Sequence, residues 1–325
     1  MENNKIVDLV VIGAGPAALS AALYTSREDI DTLLFEKGAI GGLAAVTDWV
    51  DNYPGFADGV AGLALADAMR AQAERFGAKI ELGEVLSLKK DNNFIKLDTT
   101  SGQITAKAAL IATGSEYRKI GVPGEEEFYA RGVHYCATCD GAFYRDKRLV
   151  VVGGGNSAVQ EGIFLTRFAS HIDMLVRSKL RASDVLQKEL QKHQDKISVH
   201  LGVTTDEIIG EEKHVTKVMG TDTATGRKVE FPTDGVFVFV GLDPNTKFLE
   251  GSGVELDTRN FIKSDTRLMT NVPGIFVAGD VRSGATLQIA SAVGEGATSA
   301  LMIREYLEHH EKMSTATVAT LYGEG

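Results

Sequence analysis

Cysteine is almost missing from this chain: there are two among 325 residues, Cys136 and Cys139. That scarcity excludes a secreted scaffold stapled by several disulfides and makes a reducing cytoplasm the expected location. Proline is scarce too, at 6 residues against 35 glycines, which suits many tight strand-to-helix turns and not a disordered chain. No apolar run approaches the roughly 18 residues of a membrane-spanning helix, so no membrane association is expected. Met1-Glu2-Asn3-Asn4-Lys5 runs straight into a strand pattern, and no signal peptide is expected. Positive charge is in deficit, 34 Lys and Arg against 44 Asp and Glu for a net charge of -10. An extended nucleic-acid surface is therefore not expected. Nor is a metal: a closed zinc site takes about four ligands, no second cysteine pair exists, and the 7 histidines fall at no zinc-ligand spacing.

What the chain does have is a globular composition, 44% hydrophobic, enough length for two cored domains, and an internal repeat. Asp8-Leu9-Val10-Val11-Ile12-Gly13-Ala14-Gly15-Pro16-Ala17-Ala18 matches Arg148-Leu149-Val150-Val151-Val152-Gly153-Gly154-Gly155-Asn156-Ser157-Ala158 position by position. In each copy a short apolar run reads as a buried parallel strand, and the stretch after the glycines reads as a helix. A second strand follows each, at 31–36 and 172–177. The pattern predicts an α/β fold with two Rossmann-like βαβ units, three-layered. Further strands are expected at 109–112, 236–240 and 275–278. The turns Thr113-Gly114 and Gly241-Leu242 read as crossings between domains. One domain is expected to be discontinuous, 1–116 plus 246–325, with the second inserted at 117–245. The stretch from 313 to 325 shows no periodicity and reads as a loose tail or a packing arm.

Each repeat carries the logic of a dinucleotide site. In Gly13-x-Gly15-x-x-Ala18 the first glycine permits a tight turn and the second lets backbone approach a pyrophosphate. The small third residue packs helix on strand. The pyrophosphate then sits on the helix start, where unbonded N–H groups favour anions. Glu36, at the end of the next strand, is placed for a ribose hydroxyl pair. The second copy, Gly153-x-Gly155-x-x-Ala158, ends in Arg177 instead, with Arg181 four residues on. An arginine there binds a 2′-phosphate, favouring NADPH over NADH; the alternative is a pair of solvated surface charges. One acidic and one basic ribose position imply two different cofactors. Asp280, after the strand at 275–278, reads either as an acceptor for a flavin ribityl chain or as a turn former. Between the two fingerprints lies Cys136-Ala137-Thr138-Cys139-Asp140, a pair that can close into a disulfide ring and reopen on accepting two electrons. His134 reads as a thiolate-tuning group or as a structural histidine. Trp49 and Tyr53 read as flavin neighbours or as core.

Taken together, Gly13-Ala14-Gly15-Pro16-Ala17, Asn52-Tyr53-Pro54-Gly55, Ala112-Thr113-Gly114, Cys136-Ala137-Thr138-Cys139-Asp140, Gly153-Gly154-Gly155-Asn156-Ser157-Ala158 and Gly279-Asp280-Val281 run in a familiar order. The chain resembles the low-molecular-weight thioredoxin reductases of the pyridine-nucleotide disulfide oxidoreductase superfamily. The resemblance implies a homodimer with FAD in the discontinuous domain, at Gly13, Gly15, Pro16, Ala17, Glu36, Gly42, Asn52, Thr113, Gly114, Asp280 and Gln288. It implies NADPH in the inserted domain, at Gly153, Gly155, Asn156, Ser157, Ala158, Arg177 and Arg181. It further implies that Cys139 is nearer the flavin, that Cys136 attacks the disulfide of thioredoxin or a thioredoxin-like protein, and that Asp140 is the general acid and base. For Asp140 the alternative role is a helix cap. Rotation between domains is implied as well, with hinges near 113–118 and 242–247. Three positions depart from the family: Leu43 replaces a glutamine after Gly41-Gly42, Leu287 replaces an arginine before Gln288, and the phosphate run reads Arg177-Ser178-Lys179-Leu180-Arg181. These departures keep NADH or a reduced ferredoxin open as donor, and also a flavin-loaded redox sensor without fast turnover.

Overall fold

The computed structural model describes residues 6–322 apart from 48, 51 and 213, with side chains described up to 309. The chain falls into two compact units, Met1–Glu116 with Asp243–Gly325, and Tyr117–Leu242. The first contains β1 (Ile6–Ile12), α1 (Pro16–Arg27), β2 (Thr32–Glu36), α2 (Gly42–Ala45), α3 (Gly62–Arg75), β3 (Lys79–Leu82), β4 (Val85–Asp91), β5 (Phe94–Thr99) and β6 (Gly102–Ile111), and leaves through β7 (Ser115–Tyr117). The second contains β8 (Val133–His134), α4 (Ala137–Asp140), β9 (Arg148–Val152), α5 (Asn156–Leu165), β10 (His171–Val176), α6 (Asp184–Leu190) and β11 (Ile197–Leu201). It continues with β12 (Val203–Glu211), β13 (His214–Asp222), β14 (Lys228–Pro232) and β15 (Gly235–Val238). The chain returns through β16 (Leu242–Pro244) to β17 (Ile275–Val277) and α7 (Ile289–Tyr322). The first unit thus resumes at Asp243, a little before the expected 246.

In the first unit β1 lies between β2 and β6, all parallel, in a sheet of order β3-β2-β1-β6-β5-β4. The outer edge of β6 is shared: its first half pairs antiparallel with β5, its last residues parallel with β17. A strand covered on both faces needs an unbroken apolar run. Leu9 and Val11 enter a cluster with Ala17, Ala18 and Phe276, while Val10 and Ile12 enter a second with Phe35 and Ile95. Helix α7 presses against α1 at Gly296, where a Cβ would stand 2.2 Å from the Ala17 carbonyl oxygen. Ser20 Oγ donates to the Val293 carbonyl across the same contact at 2.9 Å.

The second unit repeats the plan. Its five-stranded sheet is parallel, in the order β11-β10-β9-β15-β8, beside an antiparallel sheet β12-β13-β14. Leu149 and Val151 of β9 face one core, Val150 and Val152 the other. The α/β class with two Rossmann-like units, the second inserted in the first, is the architecture observed. At the C-terminal end, where a loose tail or a packing arm is expected, α7 runs on to Tyr322. No proline or glycine interrupts 297–322, so each added residue gains a backbone hydrogen bond without a new nucleation cost. Residues 323–325 lie outside the described residues.

Candidate redox and dinucleotide-binding sites

In the first unit the fingerprint turn follows β1. Gly13 has φ 101, and a Cβ there would stand 2.5 Å from the Ala112 carbonyl oxygen, so the turn is open only to glycine. Gly15 caps α1 with no side-chain cap, Pro16 begins the helix, and Ala17 follows. The first-turn amides therefore lack partners within the helix. Glu36 ties the turn to the next loop: Ala14 N–H donates to its Oε2 at 2.8 Å and Gly38 N–H to its Oε1 at 2.7 Å. Gly42 comes close as well, a Cβ on it reaching 3.6 Å from Gly15 Cα. Thr113 Oγ1 donates to the Asn245 carbonyl at 2.8 Å, and Asn245 N–H donates to the Gly114 carbonyl at 3.1 Å. Asn52 Nδ2 donates to Gln288 Oε1 at 3.0 Å, joining residues 236 positions apart. Trp49 is exposed, and Tyr53 is half-buried, its hydroxyl pushed up by burial. Leu43 and Leu287 are also exposed.

Asp280 adjoins the start of α1 through its neighbour. It follows Gly279, where a Cβ would stand 3.1 Å from Ala17 Cβ at the start of α1. Its Oδ1 is buried with no hydrogen-bond partner among the described residues. Burial, with the charge of Glu295, pushes its carboxyl up to about 6. Glu295 is held by Arg282, whose Nη2 donates to Oε1 at 2.5 Å, and by Gly279 N–H, which donates to Oε2 at 2.8 Å. A buried carboxylate oxygen without a donor fits a group that brings hydroxyl hydrogens, as a ribityl chain does.

The second unit's turn has the same build. Gly153 has φ 145, and a Cβ there would stand 2.4 Å from the Phe239 carbonyl oxygen; Gly155 has open space around it. Gly155 caps α5, which begins at Asn156 and Ser157, both exposed, with Ala158 buried beneath. The loop after β10 folds back onto the turn: Arg181 N–H donates to the Gly154 carbonyl at 2.6 Å, and Ser183 N–H to Asn156 Oδ1 at 2.9 Å. Arg177 and Arg181 are exposed, and their guanidinium groups have no partner among the described residues. Two uncommitted cations beside a helix start suit an anion.

The cysteines are joined, Cys136–Cys139, with their Cα atoms 5.3 Å apart. Cys136 caps α4, and Cys139 N–H donates to its Sγ at 3.2 Å. Asp140 Oδ2 lies 3.2 Å from His134 Nδ1, and His134 Nε2 lies 2.7 Å from the Tyr144 hydroxyl. Burial first, then Asp140 and Asp234, push that hydroxyl far up. Among the described residues no cluster suited to a metal occurs, and no helix is long and apolar enough to cross a membrane.

The sequence profile of the pyridine nucleotide-disulphide oxidoreductases matches residues 7–297. A thioredoxin reductase of Listeria innocua is 44% identical, over 97% of this chain and 98% of that one. The chain belongs to the thioredoxin reductase branch of this family. A thioredoxin reductase of Bacillus subtilis is 43% identical over 95% of this chain and 97% of its own. The crystal structure of thioredoxin reductase from Streptococcus pyogenes superposes with a TM-score of 0.89, at 38% identity over 94% of this chain and 100% of that one. Against that family pattern, Glu295, Arg282, Asn245 and Tyr144 are the polar contributors that sequence reasoning missed. Only Asn245 carried a local signal, its place after Pro244 in a crossing turn.

Proposed function

We propose that the chain is an NADPH-dependent, FAD-containing thioredoxin reductase that reduces the disulfide of thioredoxin or a thioredoxin-like protein. The same reading includes a homodimer working in the cytoplasm. The observation that carries it is the Cys136–Cys139 disulfide at the start of α4, in a unit whose other signature is a dinucleotide turn. The unpartnered Asp280 Oδ1 supports a flavin in the first unit, with Gly13, Gly15, Pro16, Ala17, Glu36, Gly42, Asn52, Thr113, Gly114 and Gln288 around it. The free guanidinium groups of Arg177 and Arg181, beside Gly153, Gly155, Asn156, Ser157 and Ala158, support NADPH in the second.

When bound, FAD supplies the two electrons, drawn from NADPH, that open the disulfide. In the dithiol form Asp140 takes the proton of the attacking thiol. The Cys136 thiolate attacks one sulfur of the partner's disulfide, and the other partner sulfur leaves and takes that proton from Asp140. Cys139, as thiolate, then attacks Cys136 Sγ, re-forming the ring and releasing the partner's second sulfur, which is protonated from solvent. A thioredoxin-type dithiol lies near about -270 mV, and each ~30 mV is worth about 1.4 kcal/mol for two electrons. Positioning and proton handling are therefore the main task of the protein.

Anaerobic titration of the yellow protein tests the donor: NADPH bleaches the flavin rapidly and NADH slowly. Turnover with thioredoxin tests the acceptor, and Cys136→Ser abolishes it while leaving flavin bound. Full turnover by Cys136→Ser would sink the relay. The thin phosphate run Arg177-Ser178-Lys179-Leu180-Arg181 supports a second reading, with NADH or a reduced ferredoxin as donor; absence of bleaching by NADPH selects it.

A further inference from the structure

The flavin reading above rests on Asp280 and leaves its charged neighbours, Arg282 and Glu295, without a role. These two form an ion pair that is mostly buried, their side chains 20% and 15% exposed. Glu295 directly precedes Gly296, the residue at which α7 presses against Ala17 of α1. That close approach carries the Glu295 carboxylate onto the turn Gly279–Arg282. The turn is closed on itself by Arg282 N–H, which donates to the Gly279 carbonyl at 2.9 Å. Asp280 and Val281 occupy its middle.

Glu295 grips both ends of this turn. Its Oε2 accepts from Gly279 N–H at 2.8 Å and from Arg282 Nε at 3.1 Å, and its Oε1 accepts from Arg282 Nη2 at 2.5 Å. Arg282 Nη1 donates to the Ser283 carbonyl at 3.0 Å. The guanidinium fork two residues from Asp280 is thus committed to other acceptors. Asp280 Oδ1 stays buried without a partner among the described residues. A buried acceptor left without a donor costs stability, which points to a donor that a ligand brings. From α1 the turn meets the uncharged Ala17, and Asp257 accepts from Ser283 Oγ at 2.7 Å. Glu295 is the charge that acts on Asp280.

We propose that Glu295 is the positioning residue for Asp280: by holding both ends of the Gly279–Arg282 turn and occupying Arg282, it presents an uncommitted buried carboxylate to the ribityl hydroxyls of the flavin. The role rests on the flavin reading above. Glu295 contributes in two separable ways. Its hydrogen bonds fix the backbone on either side of Asp280, which sets where the carboxylate points. Its charge disfavours a second negative charge beside it, which sets the pH at which Asp280 becomes the better acceptor. Removing the charge lets Asp280 ionise at lower pH, and the climb of FAD affinity with pH moves down with it.

The test compares wild type, Glu295→Ala, Glu295→Gln, Asp280→Asn and the two double variants, all loaded with FAD. The readout is the FAD dissociation constant over about pH 5 to 8, from the fluorescence of flavin released when the yellow protein is diluted. Glu295→Ala is expected to raise the constant about tenfold at the upper end of that range and to move the climb in affinity to lower pH. Glu295→Gln keeps an acceptor oxygen for the turn, so it loses less affinity but shows the same movement of the climb. In the Asp280→Asn background neither substitution changes the constant by more than about twofold. An unchanged constant and an unmoved climb in Glu295→Ala overturn the role. So does an equal loss with and without Asp280→Asn, which marks packing of α7 and not positioning. If Glu295→Ala fails to fold, Glu295→Gln decides, and an unmoved climb there overturns the proposal. A wild-type protein that holds no FAD overturns the proposed function along with it, whereas a flavin-loaded wild type with an unmoved Glu295→Gln overturns the positioning role alone.

Discussion

Asp280 sets a pH dependence that a single buried oxygen can dictate. Its carboxyl is raised from 3.8 to about 6, so the folded, flavin-free chain binds that proton more tightly than the unfolded chain does. Stability therefore falls as pH rises between these two values and is flat on either side. At 1.36 kcal/mol per unit the loss is on the order of 3 kcal/mol. Urea unfolding of the flavin-free protein at several pH values is expected to show this slope, and Asp280→Asn to remove it. A ribityl hydroxyl donating to the carboxylate reverses the preference, so FAD affinity should climb with pH over the same window; equal affinities on both sides of it would count against Asp280 as the acceptor. In the sequence Gly279-Asp280 was equally a turn. What distinguishes it is Glu295, which the packing of α7 brings alongside and which Arg282, two residues beyond Asp280, holds in place. Likewise Arg177, alone in the sequence, could have been a surface charge, and it is the pairing of β10 with β9, with Gly153 N–H donating to the Leu175 carbonyl at 3.1 Å, that brings its backbone to the turn. Arg177→Glu is expected to weaken NADPH about tenfold or more with little change for NADH, as read by initial rates; equal losses would return Arg177 to the surface.

At the scale of the element, the two glycines of one turn have separable jobs. Gly153→Ala puts a side chain at φ 145 and against the Phe239 carbonyl oxygen, and is expected to cost about 2–4 kcal/mol of stability. Gly155→Ala has φ -93 and meets no atom within 4 Å, so its unfolding midpoint should stay within about 0.5 kcal/mol of wild type. Its methyl group instead occupies the approach of a pyrophosphate, and NADPH affinity should fall about tenfold. Thermal unfolding and nucleotide titration separate the two; if Gly155→Ala binds NADPH normally, the turn is only structural. Both turns were legible because strand, glycines and helix start are contiguous and their backbone demands are local. The end of α7 was not, because composition without periodicity looks the same in a free strand and in a helix extended from a packed start.

At the scale of the molecule, the second unit leaves and re-enters the chain at one place: β7 pairs with β16, and Arg118 N–H donates to the Gly241 carbonyl at 3.0 Å. With its termini together and two cores of its own, the segment Tyr117–Leu242 is expected to fold alone and bind NADPH without flavin. Circular dichroism melts and nucleotide titration check this, and a non-cooperative melt would count against it. The sequence by itself determined the α/β class, the inserted plan, both glycine turns and the redox pair, because each is written in short runs of residues whose backbone or covalent chemistry admits few alternatives. Tertiary structure alone decided which polar groups meet: Glu36 with the Ala14 and Gly38 amides, Asn52 with Gln288, Glu295 behind Asp280, and His134 between Asp140 and Tyr144. The reason is that a buried polar atom must find its partner wherever packing places one, and that place is set by how whole elements stack, not by distance along the chain.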